Sequence, residues 1–148
     1  MREKTGKIDI DRLENLIPSF ENDPGIVLAY LFGSYAVGAP SALSDVDIAI
    51  LLAPNVPREK YLDYRVKYIS LTARLLHDDR VDVIVLNAAP PLLAHQAIKG
   101  KALFERSPEA RVKFEVDTQR KYLDLKSFYA IDAAYTRQRI LEGRFGKP

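Results

Sequence analysis

The sequence predicts a mixed α/β fold, with a small sheet flanked by helices and a long helix closing the chain. Three observations predict it. Short apolar runs at 26–32 (IVLAYLF), 45–52 (DVDIAILL) and 80–87 (RVDVIVLN) have the length and branched composition of buried strands. The segments between and around them space their apolar residues by three and four, which is the period of a helix packed on one side. Turn residues, among them Asn22 to Gly25, Pro54 and Pro57, and Pro90 and Pro91, separate the runs.

In chain order, Ile8, Leu13, Leu16 and Ile17 predict a helix over 8–20, ended by the turn at 22–25. The first strand, 26–32, is bounded by Gly25 and Gly33, and a short helical connection runs through Gly38 and Pro40 to the second strand, 45–52. Tyr61, Tyr64, Tyr68, Leu71 and Leu75 form the core-facing stripe of a long helix, and 80–87 follows as a third strand. A short helix from Pro90 and Pro91 to about Lys99 leads to an edge strand in KALFER (101–106). Ser107 and Pro108 have the character of an N-cap and first turn for a helix reaching towards Leu141. The chain therefore reads as one domain over 1–148, with a core of about 8–106 and a helical extension of about 107–142.

Composition narrows the function. The 148 residues include no cysteine and two histidines, so disulfides, thiolate metal sites and thiol nucleophiles are excluded. Any metal must then be held by oxygen or by the two histidines, and oxygen ligands favour magnesium or manganese. No run approaches the roughly 18 apolar residues of a membrane span. The polar start MREKTGKIDIDR is unlike a signal peptide, and a cytoplasmic protein is expected. The net charge of +2 hides an asymmetry: 10 Lys and Arg against 13 Asp and Glu in 1–98, then 12 against 7 in 99–148. A cationic C-terminal third suits an acidic partner, a nucleotide or RNA, but its charges are interspersed as on a solvated helix, so direct nucleic-acid binding is not expected.

The chemistry concentrates in three carboxylates. On a strand, residues i and i+2 share a face, so Asp45 and Asp47 project together while Val46, Ile48, Ile50 and Leu52 fill the other side. Asp82 holds a comparable place at the start of the third strand, and if the two strands are neighbours all three acids converge. Two charges about 6 Å apart repel by about 0.7 kcal/mol in water but by nearer 3 kcal/mol at an effective dielectric of about 20. The remedies in a cleft are a shared proton or a divalent cation. The alternative is a sheet with one wet face, where two aspartates cost little. Gly33 and Ser34, placed where a strand turns into a helix, add free backbone N–H groups and a hydroxyl suited to phosphate, although a plain turn and cap would use the same residues. No Gly-Lys-Ser/Thr follows, and FGSYA is not a nucleophile elbow.

Gly33-Ser34, a ten-residue spacer, Asp45-Val46-Asp47 and a later Asp82 together resemble the DNA polymerase β-like nucleotidyltransferase superfamily. The small size, the lead-in AYLFGSYAVG, the strand SDVDIAILL and the segment VDVIVLNAAPPLLAHQAIKGKALFER are most similar to the minimal nucleotidyltransferases, the MntA-type antitoxins paired with HEPN-domain toxins. The resemblance covers about 8–106 and implies a polymerase β-like fold. It further implies that Asp45, Asp47 and Asp82 are catalytic and hold two Mg2+ ions, with Mn2+ as an alternative, and that Gly33 and Ser34 hold the β- and γ-phosphates of ATP. The implied reaction moves AMP from ATP to a tyrosine of the toxin and blocks its RNase activity.

Two other readings stay open: transfer to a small hydroxyl compound, and a non-catalytic antitoxin that neutralises its toxin by binding. Many such antitoxins carry Arg in GSxARG, and this chain has Val37 there. The toxin-side signature, an Arg followed four to six residues later by His, does not occur, since Arg74 lies three before His77. His77 and His95 each read as capping or dipole residues at a helix end, not as metal ligands. Tyr122, Leu125, Tyr129 and Ala133, with Phe128, Ile131 and Tyr135 nearby, read first as a surface packed on its own domain, and second as a docking face for a toxin or another copy of the chain.

Overall fold

The computed structural model describes residues 6–141, apart from the side chains of 132, 133 and 139. The expected roles of residues 1–5, of Ala133 and of the chain beyond 141 therefore lie outside the described residues.

The first helical segment differs from expectation. Residues Ile10–Leu16 wind as a 3-10 helix, and only Ile17–Glu21 (α1) is α-helical. Asp9 caps the start by accepting from the Asp11 N–H, and at the junction Pro18 has no N–H to offer Glu14 O, so the Ile17 N–H takes that carbonyl. Leu13 and Leu16, three apart, stay on one buried side.

Among the described residues four strands form one sheet in the order β3-β2-β1-β4. They are β1 (Ile26–Phe32), β2 (Val46–Leu52), β3 (Val81–Val85) and β4 (Lys101–Glu105). β1 lies antiparallel to β2 and β4, and β2 lies parallel to β3. The parallel pair needs a crossover, supplied by α3 (Tyr61–Leu76). α3 packs Tyr68 and Leu76 against Leu16, Phe20, Ile48 and Val83 on one face of the sheet, so the tyrosine stripe is core as expected.

The other face is also covered. Leu28, Tyr30, Ala49 and Ile84 pack under α4 (Pro91–Ile98), with Phe114 from the start of α5 (Pro108–Leu141). The wet-face reading of the aspartate strand therefore fails: Ala49, next along the face that bears Asp47, is fully buried. β3 is shorter than expected because Asn87 folds back, accepting from Leu52 N–H at 2.8 Å and donating to Leu52 O at 2.9 Å, so a side chain ends the ladder.

α5 begins as expected, with Ser107 Oγ accepting from the Ala110 N–H at 3.1 Å. Its 34 residues span about 51 Å, more than twice the length of a seven-residue strand. Its first half packs: Tyr30 donates to Glu115 at 2.8 Å, Thr118 is buried, and Tyr122 stacks on His95 with ring centres 3.5 Å apart. Beyond that the helix overshoots the sheet, and Phe128, Ile131 and Tyr135 are 61%, 70% and 59% exposed. Packing on its own domain is thus corrected for the distal aromatics. His95 is corrected too, because it is a buried ring whose protonation is disfavoured by burial and by Lys99, not a cation serving the helix dipole. No described helix is long and apolar enough to cross a membrane.

Candidate active site

The register of β2 builds the site. Phe32 pairs with Asp47 across the antiparallel ladder, and Asp47 pairs with Asp82 across the parallel one. Asp47 thus stands between the end of β1 and the start of β3, which brings Gly33, Asp47 and Asp82 together as the spacing suggested. Asp45 lies just before β2, whose first paired residue is Val46, so it sits exposed at the open end of the ladder. Its loop is pinned from behind: Arg80 donates to Ala42 O and to Gly6 O (2.7 Å), and Gly6 N–H donates to Ala42 O at 3.1 Å.

Gly33 is required by two constraints. Its φ of 75° and ψ of −158° suit a residue without Cβ, and a Cβ there would overlap Asp47 Oδ2. The turn lets α2 (Ser34–Val37) start directly beside the carboxylate. Tyr35 anchors α2 by accepting from Ile8 N–H at 3.0 Å, and Gly38 ends it in the left-handed conformation.

Electrostatics single out Asp47. Burial, and then the charges of Asp45 and Asp82, raise its carboxyl above the ordinary value. Asp82 instead accepts from Arg65 Nη2 at 2.9 Å. Among the described residues no hydrogen bond or ion pair holds the Asp45 or Asp47 side chain, and no three His, Asp or Glu close into a finished metal cage. The donor set still fits a hard divalent cation: oxygen only, a half-buried carboxylate disfavoured by its surroundings, and a glycine that leaves its oxygen clear.

A cleft of about 230 Å3 opens at Gly33, the residue that borders Asp47 Oδ2, and is lined by Gly33, Ala36, Val37, Gln96, Lys99 and Gly100. Val37 stands 74% exposed on it, and Lys99 supplies a cation to the same cleft. A larger cleft of about 630 Å3 between α4 and α5 is lined mostly by apolar surface and includes neither Gly33 nor any of the three aspartates. Size alone would misplace the site. Sequence reasoning missed Arg65, Arg80 and Lys99, whose roles depend on contacts between distant segments.

Residues 14–109 match the family described as Polymerase beta, Nucleotidyltransferase. The chain belongs to that nucleotidyltransferase family. It is 32% identical over 108 residues to the protein adenylyltransferase MntA of Shewanella oneidensis, covering 72% of this chain and 73% of that protein. In three dimensions it resembles a toxin–antitoxin crystal structure with AMP-PNP, at 28% identity and a TM-score of 0.63 over 86% of this chain and 99% of that one. A second similar structure holds a tri-AMPylated Shewanella oneidensis HEPN toxin in complex with an MNT antitoxin. There the identity is 27% and the TM-score 0.57, over 84% of this chain and 94% of that one. The chain is an MntA homologue with a polymerase β-like fold, so the expected family and fold class hold.

Proposed function

We propose that this chain is an antitoxin adenylyltransferase that transfers AMP from ATP to a tyrosine of a HEPN-domain toxin. The observation that carries the reading is the register of β2, which sets Asp47 between Gly33 and Asp82. The MntA relative and the AMPylated HEPN toxin support the choice of nucleotide and partner. Asp45, Asp47 and Asp82 would hold two magnesium ions, and manganese has the same ligand preference. When bound, such a pair supplies charge stabilisation at both the attacking and the leaving oxygen of an in-line displacement.

The protein's own share is positioning. The N–H groups at the Gly33–Ser34 turn and the Ser34 hydroxyl face the β- and γ-phosphates and orient the α-phosphorus. Asp82 orients the tyrosine hydroxyl for attack, and pyrophosphate departs along the Gly33–Ser34 side. The exposed distal aromatics of α5 give a toxin a surface to dock on, with residues 8–106 as the catalytic core and the helix as its extension.

The test combines the chain with a HEPN protein encoded beside it, ATP and magnesium, and weighs that protein intact. AMP adducts are expected, and Asp45→Asn/Asp47→Asn should reduce their formation by about a thousandfold or more, the scale of several kcal/mol of lost charge stabilisation. Neutralisation without adducts, unaltered by the double variant, would overturn catalysis in favour of masking. Adducts on a small hydroxyl compound alone would overturn the assigned acceptor.

A further inference from the structure

We propose that Arg65 is a positioning residue that clamps Asp82 in its working orientation, an inference that rests on the role of Asp82 given above. Arg65 belongs to α3, the crossover that links the two strands bearing Asp47 and Asp82. Its guanidinium makes a forked contact: Nε donates to Val83 O at 2.8 Å and Nη2 to Asp82 Oδ1 at 2.9 Å. Val83 N–H donates to the same Oδ1, also at 2.9 Å. One oxygen of Asp82 is thus held by two donors, and Oδ2 accepts no hydrogen bond from the described residues.

The clamp answers a need created by topology. β3 is an edge of the sheet, so among the described residues no fifth strand flanks Asp82. The Asp82 side chain is 44% exposed, and rotation between its staggered conformers is otherwise checked by little. The Arg65 side chain is 46% exposed as well, and ion pairs this open contribute little to stability. Orientation is what the fork adds, because a planar guanidinium fixes direction at two acceptors together where an ammonium is a single mobile point charge. The arrangement is also asymmetric: among the described residues no hydrogen bond or ion pair holds the Asp45 or Asp47 side chain, while the third carboxylate is locked. Two ligands are left to respond to a cation, and the one next to the acceptor hydroxyl is set in advance.

The experiment uses the full chain with its toxin substrate and four variants: Arg65→Met, Arg65→Lys, Asp82→Asn and Arg65→Met/Asp82→Asn. Turnover, KM for ATP, melting temperature and Mn2+ affinity without nucleotide, by electron paramagnetic resonance, are measured for each. Groups that orient metal ligands typically matter by about 10- to 100-fold, so Arg65→Met should lower kcat and weaken Mn2+ binding on that scale. KM for ATP should stay within about twofold, since in this reading the fork does not touch nucleotide. Arg65→Lys, keeping charge without the fork, should recover only part of the loss. In the Asp82→Asn background Arg65→Met should cost nothing further, because Arg65 acts through that carboxylate.

An equal loss in both backgrounds, tracking a lower melting temperature, would mean a structural contact and overturn the clamp. Wild-type turnover and Mn2+ affinity in Arg65→Met beside a crippled Asp82→Asn would overturn Arg65 alone. Full activity in Asp82→Asn would overturn the reading of Asp82 and the clamp with it.

Discussion

Asp23 and Asp47 stand near opposite ends of β1 and are pushed in opposite directions. Asp23 precedes the strand, and its side chain is 12% exposed. Burial alone would raise its carboxyl, but Lys67 (3.1 Å), Tyr68 (2.9 Å) and the Gly25 N–H (3.1 Å) outweigh that and hold it below the ordinary value. Arg106 closes the same end by donating to the carbonyls of Phe20, Glu21, Asp23 and Ile26. Asp47, half-buried at the far end, gains like charges where Asp23 gains donors, and its carboxyl is raised. A carboxylate satisfied by its own chain ties a fold together. One surrounded by burial and two other carboxylates is left unsatisfied by its own chain, which is what the proposed cation-binding role requires.

That contrast breaks most sharply at Gly33. Gly33→Ala adds a Cβ at a φ of 75° and drives it against Asp47 Oδ2, so the carboxylate or the turn must shift. AMP transfer should fall by about 100-fold, the scale of an ångström-level misplacement of reacting groups, while the thermal melt remains cooperative. Steady-state kinetics beside a melting curve would check it. Activity near wild type would mean that the Gly33–Asp47 approach is incidental.

Asp23 sharpens the comparison from the other side. Asp23→Asn should cost about 1 to 3 kcal/mol of stability at neutral pH, since it weakens charge-assisted hydrogen bonds. Specific activity of the folded protein should not change. A carboxyl lowered by folding contributes stability that is fully present above its ordinary value of 3.8 and is lost as pH falls through the lowered one. Urea unfolding of both proteins from pH 7 downward should therefore converge in the acid range. A difference that persists undiminished below that range would show that the Asp23 charge is not the cause.

The two ends also differ in how far the sequence revealed them. Gly33, Ser34, Asp45 and Asp47 lie within one hairpin, so local spacing and strand alternation brought them together without knowledge of the fold. Asp82 required the assumption that its strand lies beside β2, and the parallel pairing of Asp47 with Asp82 supplies it. The Asp23 network stayed hidden because its partners Tyr64, Lys67 and Tyr68 are 41 to 45 residues away. Arg65 was hidden likewise, as one of several basic residues on a helix until the edge position of β3 gave it a target. Two misread elements have local causes, since Pro18 denies the first helix an i→i−4 bond at Glu14 O and Asn87 shortens β3, whereas α5 outruns the domain its distal aromatics were expected to pack on.

The most direct test of the central claim, that Asp47 is held ready for a cation, is the thermal melt of wild type and Asp47→Asn at neutral pH with and without magnesium. A carboxylate that burial and like charge disfavour should make the metal-free wild type less stable than Asp47→Asn, and magnesium should raise the wild-type melting temperature more than that of the variant. A lower melting temperature for metal-free Asp47→Asn, or an equal magnesium shift in both proteins, would contradict the account.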